Sequence, residues 1–143
     1  MSHRPTLVLR SREFEEKKRK HQARISELYT QRRNSPANRR QIEVEINRRV
    51  IEWNTMHHPL VHNYFDLHGM TTRGAVRFAT DMIARAKCVG TAAEVRFETG
   101  RGNHSRNGIP AIKNALLDGF QDFSRCRVRV DEHNAGVLVV AVW

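Results

Sequence analysis

At 143 residues the chain suffices for one ordinary domain, or a small domain with an appendage, and its 39% hydrophobic content supports a core over part of that length. The net charge of +10 is unevenly placed: residues 1–50 hold 14 Lys+Arg against 6 Glu, and residues 51–143 hold 11 against 9 acidic residues. No run approaches the ~20 apolar residues of a membrane span, and no signal peptide is expected; its two cysteines, Cys88 and Cys126, make neither a secreted disulfide scaffold nor a clustered zinc site. A reducing, cytoplasmic setting is expected. A basic arm beside a nearly neutral domain points to a polyanionic partner, because each neutralised phosphate releases condensed counterions.

Residues 1–10 contain Pro5, show no apolar period and read as a flexible leader. From about Ser11 the pattern is helical: Phe14, His21, Ile25 and Leu28 recur at helical spacings, with the basic run Lys17 to Lys20 and Arg24 mostly around the other faces. Asn34-Ser35-Pro36 interrupts it, with Ser35 expected to cap the next helix and Pro36 to occupy its first position. A second stripe follows in Ile42, Ile46, Val50 and Trp53. Residues 11–58 are therefore expected to form a basic, antiparallel two-helix extension. Pro59 ends it, a histidine-rich linker occupies 57–63, and a second domain is expected over 59–143.

There the periods change. Tyr64 to His68 reads as a strand, and Thr71 or Thr72 as the cap of a helix whose broad apolar face holds Ala75, Val76, Phe78, Ala79, Met82, Ile83 and Ala86. Gly90 closes that helix. Glu94 to Thr99 alternates as a second strand, Asn107-Gly108 turns the chain, and Pro110 opens a helix carrying Ile112, Ala115, Leu116 and Phe120. Cys126, Val128 and Val130 alternate with Arg125, Arg127 and Arg129, which predicts a half-buried strand with an arginine outer face. A turn at Asn134-Ala135-Gly136 leads into the continuously apolar Val137 to Val142, an expected interior strand. The order is βαβαββ: an α/β, two-layer α+β fold with a mixed four-stranded sheet and two packed helices, preceded by the helical hairpin. Trp53 and Trp143 suit packing better than base reading.

Two segments carry chemistry. Strand alternation would put Asp66 and His68 on one face about 6.5 Å apart, with Leu67 entering the core. An acid beside an imidazole suits proton exchange near neutrality, while a turn aspartate and a satisfied strand-end histidine are the plainer reading of the same residues. After the second strand, Gly100 and Gly102 let main-chain N–H groups approach a phosphate. Arg101 adds a planar cation suited to a phosphorane, His104 a second proton carrier, and Ser105 a helix cap or phosphate contact. A nicotinamide fingerprint does not fit, since Ser105 stands at the third glycine position. Zinc on His57, His58, His62, Asp66 and His68 does not fit either, because Pro59 breaks the helix that would align His58 with His62.

Asp66-Leu67-His68-Gly69 followed by Thr99-Gly100-Arg101-Gly102-Asn103-His104-Ser105 resembles the signature of the Smr (small MutS-related) domain, over roughly Tyr64 to Trp143. The helical segment before it loosely resembles the one that often precedes such domains in eukaryotes, without the usual alanine-rich stretch. The resemblance implies an endoribonuclease of the eukaryotic type that cuts mRNA on stalled or collided ribosomes, in no-go and nonstop decay. The catalytic residues it implies are Asp66, His68, Arg101 and His104; Gly100, Gly102, Asn103, Ser105, Arg125, Arg127 and Arg129 would contact phosphate and RNA. On that reading His68 activates the ribose 2′-hydroxyl assisted by Asp66, and His104 protonates the leaving oxygen, or the two histidines exchange roles. No metal or small-molecule cofactor is required, although Asp66 holding Mg²⁺ would change the product ends. The expected partners are RNA and the ribosome, with no membrane; a non-catalytic RNA- or ribosome-binding module and a DNA-nicking endonuclease are the alternatives.

Overall fold

Two apolar stripes separated by a proline-led break produce a helical hairpin. In the computed structural model, which describes residues 12–56, 63–100 and 110–143, α1 spans Arg12–Asn34, a 3-10 turn spans Pro36–Asn38 and α2 spans Arg39–Met56. Ile25 and Leu28 of α1 and Ile46 and Val50 of α2 are buried as the helices pack together. Trp53 extends this seam: His21 stacks on it at 4.7 Å and Phe14 tilts against it at 5.8 Å. Asn54 is buried beside them, its Nδ2 donating to the Val50 carbonyl at 2.9 Å.

Ser35 departs from the expected cap. Its side chain makes no cap bond; its main-chain carbonyl instead accepts the Asn38 N–H at 2.9 Å. The reason is local. Pro36 starts a 3-10 turn, so α2 proper begins beyond the reach of the Ser35 hydroxyl. The 1–10 leader, the linker residues His57, His58, Pro59 and His62, and the Asn107-Gly108 turn lie outside the described residues.

The chain divides into two compact units, the first ending at His62 and the second spanning Asn63–Trp143. The second unit runs β1 (Tyr64–Asp66), α3 (Thr72–Cys88), β2 (Ala93–Glu98), α4 (Ala111–Phe120), β3 (Cys126–Val130) and β4 (Val137–Val142). The sheet order is β1-β2-β4-β3, with β1 parallel to β2 and β4 antiparallel to both its neighbours. The apolar run is the interior strand expected of it: Val137 to Val140 and Val142 are all buried. Phe65 and Phe97 lie opposite each other in register, so they share one face of the sheet. Phe65 meets Phe78 of α3 at 5.6 Å, and Phe97 meets Phe120 of α4 at 6.4 Å. Both helices therefore cover that face, which makes the two-layer α+β architecture. The opposite face presents Tyr64, Asp66, Glu94, Arg96, Glu98, Arg127 and Arg129 around Val137, Val139 and Ala141.

Thr71 is the α3 cap, its Oγ1 accepting the Gly74 N–H at 3.1 Å. Three expectations need correction. β1 stops at Asp66 rather than continuing to His68, because the chain turns there. Arg125 precedes β3 in a left-handed conformation, φ 53°, so the strand itself carries Arg127 and Arg129 alone of the three arginines. Trp143 is 54% exposed: Val142 points to the helices, so the next residue points to the open face. No helix among the described residues is long and apolar enough to cross a membrane.

Tyr29 supplies a test of the hairpin. Arg32 lies over its ring at 4.8 Å, and burial pushes the phenol from its usual 10.0 up to about 12, with Arg32 lowering and Glu43 raising it. A raised folded-state value makes the stabilisation complete below pH 10.0 and lost as pH climbs toward 12. Thermal melts followed by far-UV circular dichroism should therefore show a steeper alkaline loss for the natural chain than for Tyr29→Phe. Identical alkaline profiles would refute this account.

Candidate functional site

Parallel pairing sets the location. β1 and β2 run side by side with Asp66 opposite Glu98, so the connectors leaving both strands start at one edge of the sheet. The Leu67 N–H donates to the Glu98 carbonyl at 2.8 Å, which carries the pairing one residue past β1, and the Leu67 side chain is fully buried. The chain then turns sharply. Asp66 Oδ1 accepts the main-chain N–H of His68 at 2.9 Å, the Met70 N–H donates to the Leu67 carbonyl at 3.0 Å, and Gly69 takes φ 91°. This is an aspartate-initiated turn. Asp66 and His68 are thus related by turn chemistry rather than by the strand alternation that the sequence suggested, and the carboxylate fixes the main chain that presents the imidazole.

The second connector comes to meet the first. Gly100 has φ 78°, and a Cβ placed there would lie 2.8 Å from His68 Nδ1 and 3.5 Å from its Cε1. Glycine is required at this position for two independent reasons, the left-handed backbone and the imidazole resting on its Cα. Asp66, His68 and Gly100 are therefore brought together at one edge.

A third element, a plain turn by its sequence, joins them. Thr99 is 5% exposed; its N–H donates to the Gly136 carbonyl at 2.8 Å and its hydroxyl donates to the same oxygen at 3.2 Å. Gly136 belongs to the β3–β4 connector, whose Asn134 Oδ1 accepts the Gly136 N–H at 2.9 Å and whose Asp131 Oδ1 accepts the His133 N–H at 2.8 Å. That main-chain bond holds the Asp131 carboxyl below its ordinary range, and the Arg96 guanidinium at 3.9 Å adds to the effect. The exposed His133 imidazole thus stands at the same edge. The signal for it lay in the strand order, since β4 antiparallel to β2 must start where β2 ends.

Other expected residues lie elsewhere. Arg125 is at the far end of the sheet, one residue beyond the Cys126–Val142 pair, about 20 Å along the strand direction from the level of Glu98. Arg127 and Arg129 are exposed on β3, three strands from β1, and Arg129 pairs with Glu94 at 3.4 Å. Arg101, Gly102, Asn103, His104 and Ser105 lie outside the described residues. Among the described residues no group of three or more His, Cys, Asp or Glu side chains is placed to hold a metal ion.

No family model matches the chain, and neither does any curated protein. Among solved structures it is similar to the solution structure of the B3BP Smr domain, with 27% identity, 75% of this chain and 97% of that chain covered, and a TM-score of 0.52. The likeness supports an Smr-domain fold, in agreement with the mixed four-stranded sheet and its helices.

Two substitutions probe the edge. Gly100→Ala adds a methyl where the imidazole sits and strains a left-handed residue by about 1–2 kcal/mol, so chemical denaturation should show a loss of that order. Thr99→Val removes the hydroxyl bond but keeps the N–H bond to Gly136; the expected loss is about 1–2 kcal/mol, with Thr99→Ser restoring most of it. A fully stable Gly100→Ala variant would contradict the close approach.

Proposed function

We propose that this chain is an endoribonuclease that cuts single-stranded RNA by transesterification, with residues 59–143 as the cleaving domain and 11–58 as a basic extension. One observation carries the reading: the His68 imidazole rests against Gly100, where the glycine loop that resembles a phosphate-gripping loop begins. A proton carrier and a run of potential phosphate donors then face the same substrate. Two connectors from separate strands supply them.

His68 takes the proton of a ribose 2′-hydroxyl as that oxygen bonds to phosphorus. The bond from phosphorus to the 5′-oxygen breaks, and the leaving oxygen receives a proton from His104. Arg101 and the loop amides around Gly100, Gly102, Asn103 and Ser105 neutralise the phosphorane between these events. The products are a 2′,3′-cyclic phosphate and a 5′-hydroxyl. Asp66 acts by holding the main chain of His68 through the bond to its N–H. The roles of Arg101 and His104 come from the motif resemblance alone. Arg127 and Arg129 extend the phosphate contacts along the open face of the sheet, and Arg125 contacts RNA at its far end. The natural substrate on this reading is mRNA on stalled or collided ribosomes in the cytoplasm.

Incubation with labelled single-stranded RNA tests this directly. The natural chain should release fragments ending in 2′,3′-cyclic phosphate, with or without chelator, and leave a 2′-deoxy substrate intact. His68→Ala should slow cleavage by about 10²–10⁴-fold, the range for loss of a general base, while its circular dichroism spectrum is unchanged. RNA bound but never cut by the natural chain would make the domain a binding module. Chelator-sensitive cleavage would replace His68 with a metal-activated water.

A further inference from the structure

The tip of the helical hairpin carries charge that the hairpin itself does not use. Half of the described hairpin cations have a carboxylate on their own helix, among them Lys17 with Glu13 at 3.6 Å, Arg19 with Glu16, Arg24 with Glu27 at 2.7 Å, and Arg49 with Glu45 at 3.3 Å. Arg48 has two, Glu45 at 2.7 Å and Glu52 at 2.9 Å. Arg12, Lys18 and Lys20 make no ion pair among the described residues, but Glu13, Glu15 and Glu16 dilute them in the same stretch.

The tip differs. Between residues 32 and 43 stand Arg32, Arg33, Arg39 and Arg40 against one acid, Glu43. Glu43 serves Arg32 across the hairpin at 2.8 Å and Arg39 on its own helix at 3.3 Å. Among the described residues Arg40 makes no ion pair, and Arg33 donates only to the Thr30 hydroxyl, at 3.3 Å; both are exposed.

Helix electrostatics explains only part of this placement. Arg32 and Arg33 occupy the last turn of α1, where the carbonyl ends favour cations. Arg39 and Arg40 occupy the first turn of α2, where the N–H ends disfavour them, and neither that turn nor the preceding 3-10 turn holds an acidic residue. Glutamate would suit Arg40's position better for stability. A local rule broken without a compensating contact marks a position kept for something other than folding.

We infer that the hairpin tip, through Arg33 and Arg40 with Arg32 and Arg39 beside them, is a second docking surface for the ribose-phosphate backbone of RNA. Planar guanidinium forks without carboxylate partners are matched to phosphate oxygens. The tip offers no exposed aromatic platform, so it grips RNA without reading its sequence. This rests on the proposed RNA substrate and adds to it a contact surface on the first compact unit.

The test is the salt dependence of binding of labelled single-stranded RNA by the full chain, measured by fluorescence anisotropy. Removing one phosphate-neutralising cation lowers the slope of log affinity against log salt by about 0.7, so Arg33→Gln with Arg40→Gln should lower it by about 1.4. The same change at Arg48 and Arg49 should leave the slope alone, because those cations are already paired. Arg40→Glu should weaken RNA binding and at the same time raise the thermal midpoint. A slope unaffected by Arg33→Gln with Arg40→Gln overturns the tip while leaving cleavage at His68 standing. A natural chain that binds no RNA ends both readings. Weaker binding of that double variant to phosphatidylserine vesicles, with its RNA binding intact, would assign the tip to a membrane surface and overturn it as well.

Discussion

The architecture of the second unit depends on one constraint, the parallel pairing of β1 with β2. A parallel pair cannot be closed by a tight turn, so the chain must cross over one face of the sheet, and α3 makes that crossing. The crossover demands a helix with a broad apolar face, which Ala75, Ala79 and Ile83 supply from buried positions. It also forces the ends of both strands, and everything that follows them, onto one edge. The Leu67–Glu98 bond extends that coupling into the connectors themselves. The proximity of His68 and Gly100 is thus a consequence of strand direction before it is a matter of side chains.

Each connector at that edge is then held by simple local devices. Asp66 closes its turn on the N–H of His68, Thr71 closes the start of α3, and Asn134 and Asp131 close the β3–β4 connector. Short polar side chains do this because their oxygens reach main-chain donors two or three residues away. Thr99 links two of the connectors by giving two hydrogen bonds to a single carbonyl. The edge is consequently held largely through main-chain hydrogen bonds, and these set where the His68 and His133 side chains emerge.

The first unit solves a different problem. Its apolar seam is narrow, and ion pairs along each helix offset part of the repulsion among its basic residues. Pairs this exposed stabilise each helix only slightly, but together they neutralise most of the hairpin body. The basic character evident in the composition therefore concentrates where carboxylates run out, at the turn between α1 and α2. A strongly basic segment and a strongly basic surface are different things, and pairing decides between them.

Element type and order were legible in the sequence because both follow from period. The stripes through Ile25 and Ile46, the α3 face and the apolar run of β4 declare themselves through near-neighbour spacing, as do the Thr71 cap and the Pro36 break. The two motif segments were legible as residue types in order along the chain, and the likeness to an Smr domain agrees with them. Strand order and register were not. They depend on which surfaces meet across dozens of residues, and no local period records that. Only the folded sheet therefore decided that His68 rests on Gly100, that the Asp131–Gly136 connector shares their edge, and that Arg125 lies at the other end. The pairing state of each arginine was equally hidden, since an ion pair such as Arg32–Glu43 forms between helices and is fixed by packing rather than by sequence separation.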